Sequence, residues 1–173
     1  MKRFFTGLIF ISIIALFFAC EKENSLEKMR NNELAKLDVF INEHYPDSVA
    51  KPSGLYYIEA IKGEGDSLKF GDRVQIFYAT WTIDSILVDE SKGYTIGHRF
   101  EPLEYIIGAN SVIKGLEEAS TYMQLNTKSN LVLPSEVAYG QNGSGAIPGF
   151  TTLLMEVEVY KVYPFNPSKE EEE

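Results

Sequence analysis

Cysteine and histidine are nearly absent from this chain of 173 residues, which has one Cys and two His. With a single thiol, neither an intrachain disulfide nor a metal site built from several cysteines can form. The two histidines, His44 and His98, have no second histidine or carboxylate at the spacing of metal ligands. We therefore expect no metal and no other cofactor.

Basic residues are also scarce. The chain has 16 Lys and Arg against 25 Asp and Glu, for a formal net charge of -9. A nucleic-acid-binding protein needs a basic face to replace the counterions of the phosphate backbone, so nucleic acid is not an expected partner. With 45% hydrophobic and 24% charged residues, the composition is that of a globular protein, and the length fits one domain with appendages.

The sequence motifs of nucleophilic hydrolysis and of phosphate binding are missing. No G-x-S-x-G sequence occurs. The glycine-rich stretch 140–145 lacks the lysine of a phosphate-binding loop, and Ala146-Ile147-Pro148 and a predicted strand follow it. Because no helix N-terminus is available there to hold a phosphate, we interpret the stretch as a flexible loop.

The first 19 residues have the layout of a signal peptide. Met1-Lys2-Arg3 is a basic start, residues 4–18 are almost entirely apolar, and Ala19-Cys20 follows. The apolar run is shorter than the roughly 20 residues of a permanent membrane-spanning helix. Residues 17–20 resemble a bacterial lipobox, so we expect cleavage before Cys20, a lipid on Cys20 that attaches the protein to a membrane, and a lipidated tether over 20–24. An uncleaved anchor, or a chance cysteine at an ordinary cleavage site, is the alternative.

A helix is predicted over residues 25–47. Apolar side chains recur there at helical spacing until Pro46, at Leu26, Met29, Leu34, Leu37, Phe40, Ile41 and Tyr45. The favoured interpretation is a helix that packs on its own domain. A helix that mediates homodimerisation or docking through residues 25–45 is the alternative.

From Lys51 onward, the pattern changes to short runs rich in Val, Ile, Tyr and Phe, separated by Gly, Pro, Asp and Ser. We predict antiparallel strands at residues 56–61, 74–83, 104–107, 129–133 and 153–162. In the last, Leu153, Met155, Val157 and Val159 share one face. Residues 112–119 permit one short helix. The predicted fold is therefore α+β, an antiparallel β-sheet wrapped around a short α-helix, over residues 51–163, with an acidic tail at 164–173.

Six segments in this region resemble FKBP-type peptidyl-prolyl cis-trans isomerases in order and spacing. They are Lys51-Pro52-Ser53-Gly54-Leu55-Tyr56-Tyr57, Gly63-Glu64-Gly65, Gly71-Asp72-Arg73-Val74, residues 112–119, Leu133-Pro134-Ser135-Glu136-Val137-Ala138-Tyr139-Gly140, and Ile147-Pro148 with Thr152-Leu153. With the lipobox and leading helix, the whole chain resembles the lipoprotein branch of this family, including its gliding-motility-associated type.

The resemblance implies a pocket for proline. It places Tyr78, Asp89, Ile113 and Tyr139 in catalytic roles, and it implies substrate binding by Val88, Leu103, Val112, Leu116, Ile147 and Met155. The Tyr139 hydroxyl and the Ile113 N–H would hold substrate carbonyls, and Asp89 would orient Tyr78 and the twisting carbonyl. Val88, Leu103, Leu116 and Met155 stand where the family commonly has aromatic residues, so the pocket is expected to be less aromatic.

The resemblance implies a peptidyl-prolyl cis-trans isomerase that acts on proline-containing polypeptides. Together with the lipobox, the resemblance implies that this isomerase acts on exported proteins in the bacterial cell envelope. The isomerase itself would be lipid-anchored at the outer membrane and would face the periplasm. Two alternatives remain: a proline-segment binding or chaperone module with little or no catalysis, and a component of a surface machine such as the gliding apparatus.

Overall fold

The computed structural model of the protein describes residues 25–166. The predicted signal peptide, Cys20, the tether and most of the acidic tail lie outside the described residues, and their assignment stays a prediction. Among the helices of residues 25–166, none is both long enough and apolar enough to cross a membrane.

The described chain is an α+β fold with two α-helices, six strands and one 3-10 turn. Residues 25–44 are helical (α1), and α2 is Lys114–Ser120. The strands are β1 Tyr56–Ile61, β2 Arg73–Thr82, β3 Leu87–Glu90, β4 Leu103–Ile106, β5 Lys128–Leu133 and β6 Leu153–Tyr163. The 3-10 turn is Ser135–Val137. The predicted fold class is confirmed, and the five predicted strands lie within one residue of their observed bounds.

All strand pairs are antiparallel, in the order β1-β5-β6-β2-β3, with β4 also paired to β2. The long strands β2 and β6 form the centre of the sheet, with partners from Arg73↔Tyr163 to Thr82↔Leu153. Strand β3 was not predicted. It is four residues long, and its sequence Leu-Val-Asp-Glu places two apolar residues before two acidic ones, so it lacks the apolar alternation of a half-buried strand.

The inner face of the sheet packs against α2. Alternating residues of the central strands are buried there with Leu116 of the helix, among them Ile76, Leu133 and Val157. Each such side chain contributes roughly 1.5–3 kcal/mol by leaving water. Gly115 permits the close approach, because a Cβ at this position would clash with Leu133 Cδ2.

Helix α1 covers part of the outer face. Leu37 and Ile41 are buried against Val132 of β5, and Phe40, Tyr45, Tyr56, Ile58 and Leu154 pack around them. The helix therefore packs on its own domain, as the favoured interpretation has it, whereas dimerisation or docking through it stays a prediction. The expected apolar stripe is partly wrong, since Met29 and Leu34 are 43% and 40% exposed. A charged residue, Glu33, is buried instead, with 3% exposure.

Candidate active site

A cavity of about 390 Å³ opens between the inner face of the sheet and α2. The ten residues predicted for the pocket all line it: Tyr78, Val88, Asp89, Leu103, Val112, Ile113, Leu116, Tyr139, Ile147 and Met155. Four further residues that sequence reasoning missed also line it, namely Thr80, Asn110, Ser111 and Leu153. The structure thus brings the predicted residues together, while their roles in binding and catalysis remain predictions.

Strands β2 and β3 supply one wall with two polar groups. Thr80 pairs with Asp89 across the two strands, which places Asp89 near the side chain of Tyr78. The Tyr78 hydroxyl donates a hydrogen bond of 2.7 Å to Asp89 Oδ2. Burial of the ring, together with this bond and the negative charge of Asp89, raises the pKa of Tyr78 well above its ordinary value of 10.0. Tyr78 therefore remains a hydrogen-bond donor at every physiological pH.

The backbone of Tyr78 is fixed by the residue that follows β3. Ser91 Oγ accepts a hydrogen bond from Tyr78 N (3.1 Å), and Ser91 N donates to Tyr78 O (2.9 Å). Because Ser91 is itself buried, this pair is shielded from water. The wall that carries Tyr78 and Asp89 is therefore tied together at both the side chains and the backbone.

Leu116 of α2 forms the floor of the cavity, and a buried hydrogen-bond chain holds the helix. The Tyr105 hydroxyl of β4 lies 2.6 Å from Ser120 Oγ, and Ser120 Oγ donates to Leu116 O at 2.7 Å. Burial raises the pKa of Tyr105 to about 12, against the opposing effect of the Ser120 hydrogen bond. A short helix of seven residues is marginal alone, so this contact and apolar packing are what fix it.

The start of α2 places a backbone donor at the cavity. Ile113 is the N-cap residue, with extended backbone angles, and its carbonyl accepts from the N–H groups of Leu116 and Glu117. The first N–H groups of a helix have no partner within the helix. Within residues 25–166, no group accepts a hydrogen bond from the Ile113 N–H. This donor is available to a bound carbonyl oxygen.

Tyr139 also lines the cavity, from a tight turn. Ser135 O accepts hydrogen bonds from the N–H groups of Ala138 (3.0 Å) and Gly140 (2.7 Å), on either side of Tyr139 in sequence. Gly140 has a φ of 64°, a left-handed conformation that glycine adopts without strain. Tyr139 is 38% exposed, and its hydroxyl has no hydrogen-bond partner in the described chain. The turn thus presents a free hydroxyl at the cavity mouth.

The four missed residues had partial signals in the sequence. Leu153 shares with Met155 the apolar face predicted for the last strand, and Thr80 lies two residues from Tyr78 and so on the same face of β2. Asn110 and Ser111 precede α2 in a loop whose path the local sequence does not determine. Among residues 25–166, no group of three or more His, Cys, Asp or Glu side chains is arranged to hold a metal ion.

Comparison with known proteins identifies the family. Residues 65–160, more than half of the chain, match the family model of the FKBP-type peptidyl-prolyl cis-trans isomerases. The chain is 40% identical over 111 residues to the FKBP-type 22 kDa peptidyl-prolyl cis-trans isomerase of Escherichia coli, which covers 64% of this chain and 50% of that protein. It is 34% identical over 111 residues to an FK506-binding protein of Neisseria meningitidis, covering 64% of this chain and 97% of the relative.

Solved structures agree. The crystal structure of FkpA from Escherichia coli superposes with a TM-score of 0.68 at 30% identity, covering 82% of this chain and 64% of FkpA. A peptidyl-prolyl cis-trans isomerase from Pseudomonas syringae gives a TM-score of 0.67 at 27% identity, covering 80% of this chain and 96% of that structure. The match thus spans about half the Escherichia coli relative and nearly all of the smaller ones. The chain belongs to the FKBP-type peptidyl-prolyl cis-trans isomerases.

Proposed function

We propose that the protein accelerates rotation about X-Pro peptide bonds in exported polypeptides as they fold in the bacterial cell envelope. One observation carries the proposal: an open, largely apolar cavity with Leu116 at its floor has two unpaired donors at its rim, the Tyr139 hydroxyl and the Ile113 N–H. A proline ring fits the apolar floor, and its flanking carbonyls can meet the donors.

The apolar cavity suits the physics of the reaction. An X-Pro bond prefers trans by only about 0.5–1 kcal/mol, but it rotates over a barrier of roughly 18–20 kcal/mol because rotation breaks amide resonance. The planar amide is charge-separated, whereas the twisted amide is less polar. A cavity poor in water therefore favours the twisted form over the planar one, and only such differential binding lowers the barrier.

The polar groups act on geometry. The Ile113 N–H and the Tyr139 hydroxyl hold substrate carbonyl oxygens on the two sides of the cavity. Asp89, already bound to the Tyr78 hydroxyl, directs that hydroxyl and orients the carbonyl that turns. No nucleophile or covalent intermediate is required, because rotation breaks no σ bond. The residues contribute positioning and desolvation, which together replace ordered water around the amide.

The test is a proline-isomerisation assay on the full-length chain in mild detergent. Addition of catalytic amounts should accelerate cis-to-trans exchange in X-Pro peptides, and a peptide panel that varies X would reveal specificity. Heat-denatured protein is the matched control. An exchange rate equal to the uncatalysed rate, with the protein shown to be folded, would refute the proposed activity.

The envelope location rests on the first 20 residues. We infer that the signal peptide is removed and that Cys20 receives acyl chains, since a single chain binds membranes only weakly and a multiply acylated N-terminus binds firmly. Metabolic labelling with palmitate should mark the wild-type protein and not Cys20→Ser. The Cys20→Ser protein should leave the membrane fraction. Labelling of both proteins, or of neither, contradicts lipidation at this residue.

A second candidate is a proline-segment binding or chaperone module with weak catalysis. The aliphatic lining favours it, because Val88, Leu103, Leu116 and Met155 offer less flat surface to a proline ring than aromatic side chains. Turnover distinguishes the two functions. Saturable binding of a proline peptide without acceleration of exchange supports the binding module, and acceleration supports the isomerase.

A place in a surface machine such as the gliding apparatus is a further extension. It is favoured by exposed apolar side chains on α1, at Met29, Leu34 and Val39, which do not pack on the sheet. The double substitution Leu34→Ser with Val39→Ser should abolish assembly and leave isomerase activity unchanged. Assembly that persists in this variant argues against docking through α1.

A further inference from the structure

Glu33 is a buried carboxylate on α1, outside the region that matches the family model. It lies on the same helical stripe as Leu37 and Ile41, each four residues further on, where an apolar side chain is ordinarily expected. Glutamate is almost never fully buried unless it is paired. Its burial therefore requires specific partners.

Those partners come from two segments far away in sequence. Glu33 Oε1 accepts hydrogen bonds from Ser135 N (2.6 Å) and Thr152 Oγ1 (3.0 Å). Glu33 Oε2 accepts from Ser135 Oγ (2.7 Å) and from Arg30 Nη1 (2.7 Å). Arg30 also forms an ion pair of 2.6 Å with Glu136. One carboxylate thus satisfies a backbone N–H, two hydroxyls and a guanidinium.

Both segments continue directly into the cavity. Ser135 begins the turn whose hydrogen bonds to Ala138 and Gly140 flank Tyr139. Thr152 precedes Leu153, which lines the cavity. The turn is also hydrogen-bonded to the segment that contains Thr152, since Phe150 N donates to Gly140 O at 3.0 Å. Glu33 is therefore one of the points at which these two chain segments are joined, and it is the one that α1 contributes.

We propose that Glu33 is a positioning residue for the isomerase site, and that α1 is therefore a working part of the catalytic unit. The carboxylate fixes Ser135, the Ser135 carbonyl fixes the turn, and the turn aims the Tyr139 hydroxyl at the substrate carbonyl. This inference rests on the proposed function, because it assigns a route by which the helix acts on that same site.

A purely structural role predicts something different. If Glu33 only attaches α1 to the domain, any substitution that weakens this attachment equally should have the same effect on activity. Leu37→Ala offers the matched control, because Leu37 is buried one turn further along the stripe and contacts the sheet around Val132. It loosens the same helix without removing a contact to Ser135 or Thr152.

The experiment compares Glu33→Gln and Leu37→Ala in the full-length chain. Glu33→Gln keeps the shape of the side chain, but its amide cannot accept all four hydrogen bonds. We expect kcat/KM on an X-Pro peptide to fall roughly threefold to tenfold in Glu33→Gln, by no more than in Tyr139→Phe, and less than twofold in Leu37→Ala, whatever their Tm values. Equal losses in the two variants would overturn the proposal. If Glu33→Gln does not fold, Thr152→Val and Ser135→Ala test the same contacts separately.

A double-mutant cycle with Tyr139→Phe gives a readout that a structural role does not affect. Because Glu33 acts through the Tyr139 hydroxyl, Glu33→Gln should cost less than twofold in the Tyr139→Phe background. If the fold losses of kcat/KM in the two single variants multiply in the double variant, Glu33 does not act through the Tyr139 hydroxyl. If the wild-type protein is inactive, the proposed function fails. Whether Glu33 fixes the turn is then decided by hydrogen exchange of the Gly140 amide, which donates to Ser135 O. Faster exchange in Glu33→Gln than in Leu37→Ala supports it, and equal exchange refutes it.

Discussion

Tyr78 and Asp89 form a hydrogen bond of 2.7 Å, from the Tyr78 hydroxyl to Asp89 Oδ2, between two neighbouring strands of the cavity wall. The bond uses one carboxylate oxygen of Asp89 and fixes the orientation of both side chains. Since the pKa of Tyr78 lies well above 10.0, the hydroxyl keeps its proton and the bond persists into alkaline solution.

Tyr78→Phe should reduce kcat/KM about tenfold. A hydrogen bond to a charged group contributes about 1.5 kcal/mol at the low end of its range, and 1.36 kcal/mol corresponds to one factor of ten. The variant leaves Asp89 free to rotate. Steady-state kinetics on one X-Pro peptide measures the effect, with Tyr160→Phe, an exposed tyrosine elsewhere in the sheet, as the control. Unchanged kinetics in Tyr78→Phe would remove this pair from the mechanism.

Tyr139→Phe should lower kcat/KM roughly threefold to tenfold while Tm stays the same. The hydroxyl has no partner within the described chain, so its removal breaks no internal hydrogen bond, whereas a lost bond to substrate costs about 1 kcal/mol. Tyr139→Ala, which also removes the ring, should lose more. A kcat/KM equal to that of the wild type in Tyr139→Phe would mean that the hydroxyl does not touch the substrate.

Leu116→Ala should destabilise the protein by about 2–5 kcal/mol and abolish most activity. Leu116 is fully buried, and truncation leaves a cavity below the expected position of the proline ring. Leu116→Met nearly conserves the volume and should cost less than about 1.5 kcal/mol. Urea unfolding and the isomerisation assay measure both quantities. A stable and fully active Leu116→Ala protein would show that this residue is not the floor.

Much of the fold was predictable because its signals are local. Alternation along β6 and helical spacing before Pro46 each reflect burial of one face, so both elements were found. The sequence does not predict strand β3, because Leu87-Val88-Asp89-Glu90 has two apolar residues followed by two acidic ones and so shows no apolar–polar alternation. The strand order β1-β5-β6-β2-β3 depends on pairings between distant segments, which no local pattern specifies.

The site, like the fold, has a part that the sequence predicts and a part that depends on contacts between distant segments. The ten cavity residues came from the resemblance to the family, and the structure gathers them around one cavity. Glu33 could not be found from the sequence, because a glutamate in an amphipathic helix ordinarily faces solvent. Its burial depends on Ser135 and Thr152, which are 102 and 119 residues away along the chain.

The stability contributed by Glu33 should depend on pH. Burial acts to raise the pKa of Glu33, but the hydrogen bonds from Ser135, Arg30 and Thr152 together hold it below its ordinary value of 4.5. A folded-state pKa below the unfolded one gives stability that is complete above about pH 4.5 and is lost as the pH falls through the folded value. The free-energy difference between wild type and Glu33→Gln should therefore shrink between pH 7 and pH 3. Urea unfolding at the two pH values measures it.

The control for this titration is Glu59→Gln, at an exposed position of β1. Its stability difference from the wild type should stay within about 0.5 kcal/mol at both pH values, as is usual for surface substitutions. A gap between wild type and Glu33→Gln that is the same at pH 3 and pH 7 would contradict a depressed pKa for Glu33.

Gly115→Ala tests how closely α2 must approach the sheet. Alanine favours a helix interior by about 1 kcal/mol over glycine, so propensity alone predicts stabilisation. The added Cβ, however, would clash with Leu133 Cδ2 and lie 3.2 Å from Val137 Cγ2, and overpacking of this kind costs typically about 1–3 kcal/mol. The cost of overpacking should exceed the gain in helix propensity, because Leu133 is itself fully buried and has little room to move.

We therefore expect Gly115→Ala to lower the free energy of unfolding by about 1 kcal/mol and to lower kcat/KM, since the shift of α2 moves the Ile113 N–H and Leu116 relative to Tyr139. Lys114→Ala, on the exposed side of the same turn, should change neither quantity by much. Stabilisation by Gly115→Ala would show that the helix can move away from β5 at little cost. The position of α2 would then be set by the Tyr105 to Ser120 contact rather than by packing at Gly115.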